Sequence, residues 1–434
     1  MTMNMKKITL LTAICTLFFS FSAYANTATT NSKSHEPLWR ASTTANKIVV
    51  ISDIHIGIDD KYAETVKNRP LLVEFLQRLQ KTRDVRELVI DGDFLDEWMV
   101  PASYPAHTDS AAFYDKVVAN NPTVINELKN VMASGIKLVY VPGNHDLLLE
   151  KKTLDKALPG IIQARDVAGL GAYYTGDRKE IVIEHGHRYD VFSSPDNFSN
   201  KELTGSDKAM LPAGYFYARV GETWVAEGMP AIKKNYPVIT TVPDKNNMDQ
   251  LGAYAYYKVL SSEFARMTPK EGFTDKMIDV RIGGFNGRYS IQDMYPVVQA
   301  DGTISAPVLF KNLQRNWPER QKANLVKVNS SFYDAASGAI GSEYFAEQAK
   351  NQYLQNPNEK VNVVVFGHTH IPYYHKFADN KIYVNDGTWI DINGSYRPAT
   401  RTFVIVTTGK RNRAGVYQYM PDGKVNDITA TVTH

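Results

Sequence analysis

Cysteine is all but missing: the 434 residues include one, Cys15, and it lies within the first 25. Disulfides and thiolate-ligated zinc are therefore excluded for everything downstream. No charge of one sign dominates either. Lys and Arg number 49 against 46 Asp and Glu. Taking away Lys6 and Lys7 with the first 25 residues, which carry no acid, leaves 47 against 46. That balance argues against a sequence-independent grip on nucleic acid or anionic lipid. A membrane-spanning apolar run is also absent, because Ile8–Phe21 stops short of the roughly 20 residues a spanning helix needs. What is there, 43% hydrophobic and 22% charged residues, is the composition of a globular chain with material for one large core or two modest ones.

The first 25 residues read as a Sec-type signal peptide: a basic start at Lys6-Lys7, the apolar run, and the small-residue exit Ala23-Tyr24-Ala25. Cleavage is expected before Asn26, giving a periplasmic or secreted protein with no transmembrane anchor. Cys15 follows Ile14, where a lipid-attachment signal would need a small residue, so no lipid is expected. Residues 26–46 are polar and read as a flexible leader.

From Lys47 the pattern is strand and helix in alternation. Apolar runs at Lys47–Ile51, Glu87–Ile90 and Ile136–Val141 read as buried parallel strands, with helices around Pro70–Gln80 and inside Ser110–Met132. This predicts an α/β layered fold. Further strands are expected at Ala172–Thr175, Glu180–Ile183, Val361–Phe366, Ile382–Val384, Thr402–Val406 and Val416–Tyr419, the late ones antiparallel because they are short and turn-separated. Residues 189–345 break the pattern with aromatics and helical stretches, which reads as an insertion or cap between core segments 47–188 and 346–434. Gly283–Gly287 is too short for a dinucleotide fingerprint and reads as a bend.

Six of the ten histidines fall in four short places, each directly after an apolar run: Asp53-Ile-His55, Gly143-Asn-His-Asp146, Glu184-His-Gly-His187 and Gly367-His-Thr-His370. Gly92-Asp93-Phe-Leu-Asp96 follows a fifth run. Taken singly, an Asp after a strand is usually a turn former or helix cap. Together they bring carboxylate, amide and imidazole to the carboxyl ends of strands, where α/β proteins place their sites.

In this order the five pieces resemble the calcineurin-like metallophosphoesterases, over Lys47–Arg188 and Val361 to about Tyr419. The resemblance implies a four-layer α/β/β/α sandwich and two divalent metal ions, Mn, Fe or Zn. It assigns one ion to Asp53, His55 and His370, the other to Asn144, His185 and His368, and makes Asp93 the bridge. The donor set, free of thiolate, suits such ions about 3.5–4 Å apart. His185 is preferred to His187 as ligand because it directly follows the strand. His145 is implied as the catalytic imidazolium, oriented by Asp96. The implied reaction is attack on phosphorus by a hydroxide held between the ions.

Within that superfamily the Gly92–Trp98 stretch and the tail Gly367–Pro372 with Tyr383–Gly387 look most like the UDP-2,3-diacylglucosamine pyrophosphohydrolase branch. The export signal and the long insertion depart from that branch, so the reaction type is carried over and the substrate is not. The expectation is an exported phosphohydrolase acting on a phosphomonoester or pyrophosphate bond of a phosphorylated small molecule, without nucleic-acid binding. A phosphodiesterase or nuclease using the same site is the nearest rival. A non-catalytic metal-binding member of the fold is the other, and it would not need His145 with Asp96.

Overall fold

In the computed structural model, which describes residues 44–434 apart from 105–108, 197, 206–210, 283–284, 340, 359 and 397–398, the run Lys47–Ile51 is strand β1, buried on both faces. The signal segment, the Asn26 cleavage point and most of the 26–46 leader lie outside the described residues. Then come α1 (Arg69–Leu79), β2 (Val85–Asp91), α2 (Ser110–Asn120), α3 (Pro122–Ala133), β3 (Lys137–Val141), α4 (Lys151–Ala157), β4 (Ile162–Gln163), β5 (Tyr173–Thr175) and β6 (Ile181–Ile183). The insertion contributes α5 (Lys201–Thr204), α6 (Ala213–Ala226), α7 (Met248–Arg266), β7 (Ile278–Ile282), β8 (Phe285–Tyr289), α8 (Ile291–Met294), β9 (Val297–Val298), β10 (Ile304–Ser305), α9 (Leu313–Ala323) and α10 (Phe332–Gly338). The chain closes with α11 (Ser342–Ala349), β11 (Val363–Phe366), β12 (Tyr373–Lys376), β13 (Ile382–Asn385), β14 (Thr402–Thr407), β15 (Arg413–Tyr419) and β16 (Val425–Asp427).

Two large sheets form, ordered β16-β15-β14-β1-β2-β3-β4 and β12-β13-β11-β6-β5, beside the two-stranded pairs β7-β8 and β9-β10. Strand side chains alternate between faces, so each strand feeds two cores. From β1, Ile48 and Val50 point between the sheets, where they meet Val89, Val139, Ile183, Val363 and Val365. Val49 and Ile51 point outward to Leu72, Phe75, Leu76 and Leu79 of α1, whose i, i+3, i+4, i+7 spacing makes one apolar stripe. Phe75 alone rests on Trp389, Phe403 and Tyr419 at ring separations of 5.2, 4.9 and 5.4 Å. Its replacement by Ala would cost about 3–5 kcal/mol. The second sheet is covered on its outer face by Phe345, Ala346 and Ala349 of α11, packed on Val182, Val364 and Phe366. The result is four layers, α/β/β/α.

Three expectations change. The late strands are mixed: β11 pairs in parallel with both β6 and β13, while β12 and β14–β16 are antiparallel to their neighbours. Val363–Phe366 is apolar throughout and buried along its whole length, which a strand can be whether its neighbours run parallel or antiparallel. The helical stretch inside Ser110–Met132 is two helices, because Pro122 lacks the N–H that would continue α2 and instead opens α3. The bend expected over Gly283–Gly287 belongs largely to a hairpin, since Phe285–Gly287 already pair in β8 with β7.

The insertion has its own apolar core, drawn from residues 191–336 and joined by Trp98 and Ala102 from the loop after β2. Tyr189 and Phe345, near its expected limits, pack instead under the second sheet. Among the described residues no helix is long and apolar enough to cross a membrane.

Candidate metal centre

The five residue clusters follow five parallel strands, three in one sheet and two in the other. Asp53 and His55 leave β1, Asp93 and Asp96 leave β2, Asn144 and His145 leave β3, His185 leaves β6, and His368 and His370 leave β11. The rim is therefore shared between two sheets and does not belong to one. At this rim the backbone turns sharply: Asp53, His55, Asp93, His368 and His370 all have positive φ, at 49°, 47°, 49°, 70° and 58°. Such a conformation is unfavourable for residues with a Cβ and is held only where surrounding contacts fix it. Here the fixing contacts are visible. Asp53, Ile54 and His55 donate their N–H groups to the carbonyls of Gly92 and Asp93, stitching the β1 and β2 loops together. Asp146 ties in the third loop, accepting from Gly143 N at 2.7 Å and Phe94 N at 3.0 Å. That is the work of the last residue in Gly-Asn-His-Asp.

Two glycines are required by close approach. A Cβ on Gly92, whose φ is +83°, would lie 2.5 Å from His185 Nδ1, and one on Gly143 would lie 2.1 Å from Asp93 Oδ1.

Among the described residues, four triads of donor atoms lie close enough to share an ion: Asp53, His55 and His370; Asp93, His185 and His368; His55, Asp93 and His145; and His55, Glu64 and Asp96. The first two share no residue and hold the implied Asp and His ligands. In the first, Asp53 Oδ1 stands 3.0 Å from His370 Nε2 and 3.7 Å from His55 Nε2, while those two nitrogens face each other at 3.1 Å. In the second, His185 Nε2 is 3.2 Å from both Asp93 Oδ2 and Asn144 Oδ1. Asp93 Oδ2 also lies 3.7 Å from His55 Nε2, so this carboxylate stands between the groups. His185 Nδ1 meets the Asp91 carbonyl at 2.6 Å, which fixes the tautomer and leaves Nε2 for a ligand.

The donors fit divalent cations. Asp53 Oδ1 is buried and accepts no conventional hydrogen bond, and facing imidazole nitrogens must have either a proton or a cation between them. Electrostatics points the same way. Burial opposes charge on His185, yet the carboxylates of Asp93 and Asp53 push its pKa up to about 10. Burial likewise disfavours protonated His55, and the Asp53 and Asp96 carboxylates outweigh it. Burial would raise Asp93, but His185 and His145 hold it well below the ordinary carboxylate range. The carboxylates thus draw positive charge into the cleft, which protons or metal ions can supply.

His145 sits at the open side. Its Nδ1 is 2.9 Å from Asp96 Oδ2, its backbone N–H donates to Asp93 Oδ1 at 2.8 Å, and its ring stacks on Trp98 at 4.3 Å. Burial disfavours its protonated form, but Asp96 and Asp93 raise its pKa above the usual value. Asp96 serves a second ring, because the same Oδ2 contacts His55 Nδ1 at 2.6 Å. His187 is buried beside His185 with neither ring nitrogen hydrogen-bonded, and burial with the neighbouring imidazoles keeps it neutral.

Four nearby groups escaped the sequence reading. Asp190 Oδ2 lies 3.1 Å from His368 Nε2, and Glu64 Oε2 lies 3.6 Å from His55 Nδ1. Behind Asp53, Ser52 Oγ joins the Asp53 and Asp386 carboxylates. Arg188 is buried in a pair with Glu184 and bonded to the Asn324 carbonyl, and Arg281 is paired with Asp279.

A four-layer sandwich with carboxylates and imidazoles gathered where its parallel strands end is the architecture of a metal-dependent phosphohydrolase. Residues 46–250, just under half of the chain, match the family model for calcineurin-like phosphoesterase. No curated protein matches the chain. Among solved structures it is similar to a dimetal phosphatase from Danio rerio, with 12% identity, 89% of this chain and 99% of that one covered, and a TM-score of 0.36. It is also similar to the phosphopantetheinyl hydrolase of Mycobacterium tuberculosis, with 13% identity, 79% and 89% covered, and a TM-score of 0.25.

Proposed function

We propose that this protein is an exported phosphohydrolase that cleaves a phosphomonoester or pyrophosphate bond of a small molecule. Asp53, His55 and His370 would hold one divalent ion, Asn144, His185 and His368 the other, and Asp93 both. The observation that carries the reading is the pair of donor groups with Asp93 between them and His145 at their edge. Such an ion pair supplies charge neutralisation for the phosphoryl oxygens and activation of the attacking water.

The chain's own groups account for the rest. Asp96 engages His145 Nδ1, so the proton that can move sits on Nε2, facing the cleft. From there it stabilises charge on the phosphoryl group or passes to the leaving oxygen. Stacking on Trp98 limits rotation of the ring and keeps that nitrogen aimed. Asp190 and Asp96 orient His368 and His55 from behind.

A panel of phosphomonoesters, diesters and pyrophosphates, offered to metal-stripped protein resupplied with Mn, Zn, Fe or Mg, tests the reading. Phosphate release that depends on added metal is expected. Absence of hydrolysis from every class in protein that has taken up metal would sink it.

A further inference from the structure

The candidate centre opens into a cleft of about 500 Å3, bounded on one side by core loops and on the other by α6 and α7 of the insertion. Asp93, Asn144, His145, His368 and His370 reach its surface at the metal end, and Glu64, Tyr217, Glu222 and Asp391 are further polar lining residues. Apolar side chains stand on both walls. Met99, Ile371 and Ile392 line the core side, and Trp224, Val225 and Val259 line the insertion side. Ile392 is 57% exposed, which is a hydration cost for a large aliphatic side chain that a ligand alongside it would relieve.

The cleft offers little to a second phosphate. Among its described lining residues the only Lys or Arg side chains are Lys61, exposed at the mouth, and Arg266, which is paired with Glu263. Glu64 and Glu222 also face the space, and an ionised carboxylate there repels an anion. Recognition of a nucleoside diphosphate would call for guanidinium forks or backbone N–H cradles along the diphosphate.

We infer that the substrate is amphipathic: one phosphate seated at the metal end, with an apolar organic group lying between Met99, Ile371 and Ile392 on one wall and α6 and α7 on the other. This rests on the phosphohydrolase reading for the chemistry and on the cleft walls for the specificity. The volume suits a small ligand and not a polymer. The insertion is then the element that selects the substrate, since α6 and α7 supply one wall of the cleft. Full burial of a methylene is worth about 0.8 kcal/mol, or about fourfold in kcat/KM.

The test is a homologous series of n-alkyl phosphates, ethyl to octyl, with 1-naphthyl phosphate and a nucleoside diphosphate sugar as comparison arms, on the metal-loaded protein. The expected result is kcat/KM rising two- to fourfold per methylene, with octyl or naphthyl phosphate far ahead of the nucleotide. Val225→Asp and Val259→Asp, at half-buried positions on the insertion wall, should each lower the octyl-to-ethyl ratio at least tenfold. A flat series, a ratio unmoved in both variants, or preference for the nucleotide would overturn the inference while leaving the phosphohydrolase reading intact. If no compound is hydrolysed, that reading fails, and calorimetric binding of the matching alkylphosphonates still decides the inference: affinity rising with chain length supports it, and affinity independent of length overturns it.

Discussion

His145→Ala separates chemistry from metal holding, and the geometry sets its size. The ring stacks on Trp98 at 4.3 Å and meets His55 edge-on at 4.6 Å. Losing both contacts costs about 1–2 kcal/mol of stability, a shift in Tm of a few degrees. The donor groups should survive. Asp96 stays anchored by His55 Nδ1 at 2.6 Å and by the backbone N–H groups of Trp98 and Met99 at 2.7 and 3.0 Å. His145's backbone N–H to Asp93 is also unaffected by truncating its side chain. Turnover, by contrast, should fall by about 100- to 10,000-fold, equivalent to roughly 3–5 kcal/mol of transition-state stabilisation. The assay is steady-state hydrolysis of aryl phosphates with graded leaving groups, alongside elemental analysis of bound metal. A loss that grows as the leaving group worsens identifies proton donation; a uniform loss identifies charge stabilisation. Full metal content with turnover within threefold of the parent would refute the catalytic role.

Asp93→Asn removes the charge shared between the two groups, so one or both metals and most activity should be lost; normal metal content by elemental analysis would take Asp93 out of the site. Gly92→Ala puts a Cβ 2.5 Å from His185 Nδ1 at a φ of +83°, and should destabilise the fold by more than about 1 kcal/mol in denaturant titration while weakening metal retention; unchanged stability would mean the β2 loop is not held as described. Asp96→Asn should harm metal affinity and turnover together, unlike His145→Ala, because its carboxylate holds both rings; intact metal affinity by competition titration would limit Asp96 to His145. N-terminal sequencing of protein from a periplasmic fraction should begin at Asn26, and full-length protein in the cytosol would overturn the proposed export.

The rim of the site was readable because its local grammar is strong. An apolar run of four or five residues followed at once by Asp or His, as at Ile51-Ser-Asp53 or Phe366-Gly-His368, marks both a buried strand and what its end presents. The same runs gave the four layers once the resemblance supplied their order. Less legible was anything that depends on contacts between distant segments. Whether β11 runs parallel or antiparallel to its neighbours is not written in Val363–Phe366, since an apolar run buried on both faces reads alike in either case. Asp190 and Glu64 reach the imidazoles only after the insertion and the 59–65 loop fold over the rim, so neither has a motif of its own. The pairing of Arg188 with the buried Glu184 is likewise a contact that no local pattern announces.

Two donor groups with Asp93 between them would hold two ions in one hydrolytic centre. The direct measurement is titration of metal-stripped protein with a divalent ion, following bound ions per chain and phosphate release in the same samples. Two ions per chain are expected, with hydrolysis appearing as the second site fills. Saturation at a single ion, or two bound ions without phosphate release from any of the ester and pyrophosphate classes, would contradict that expectation.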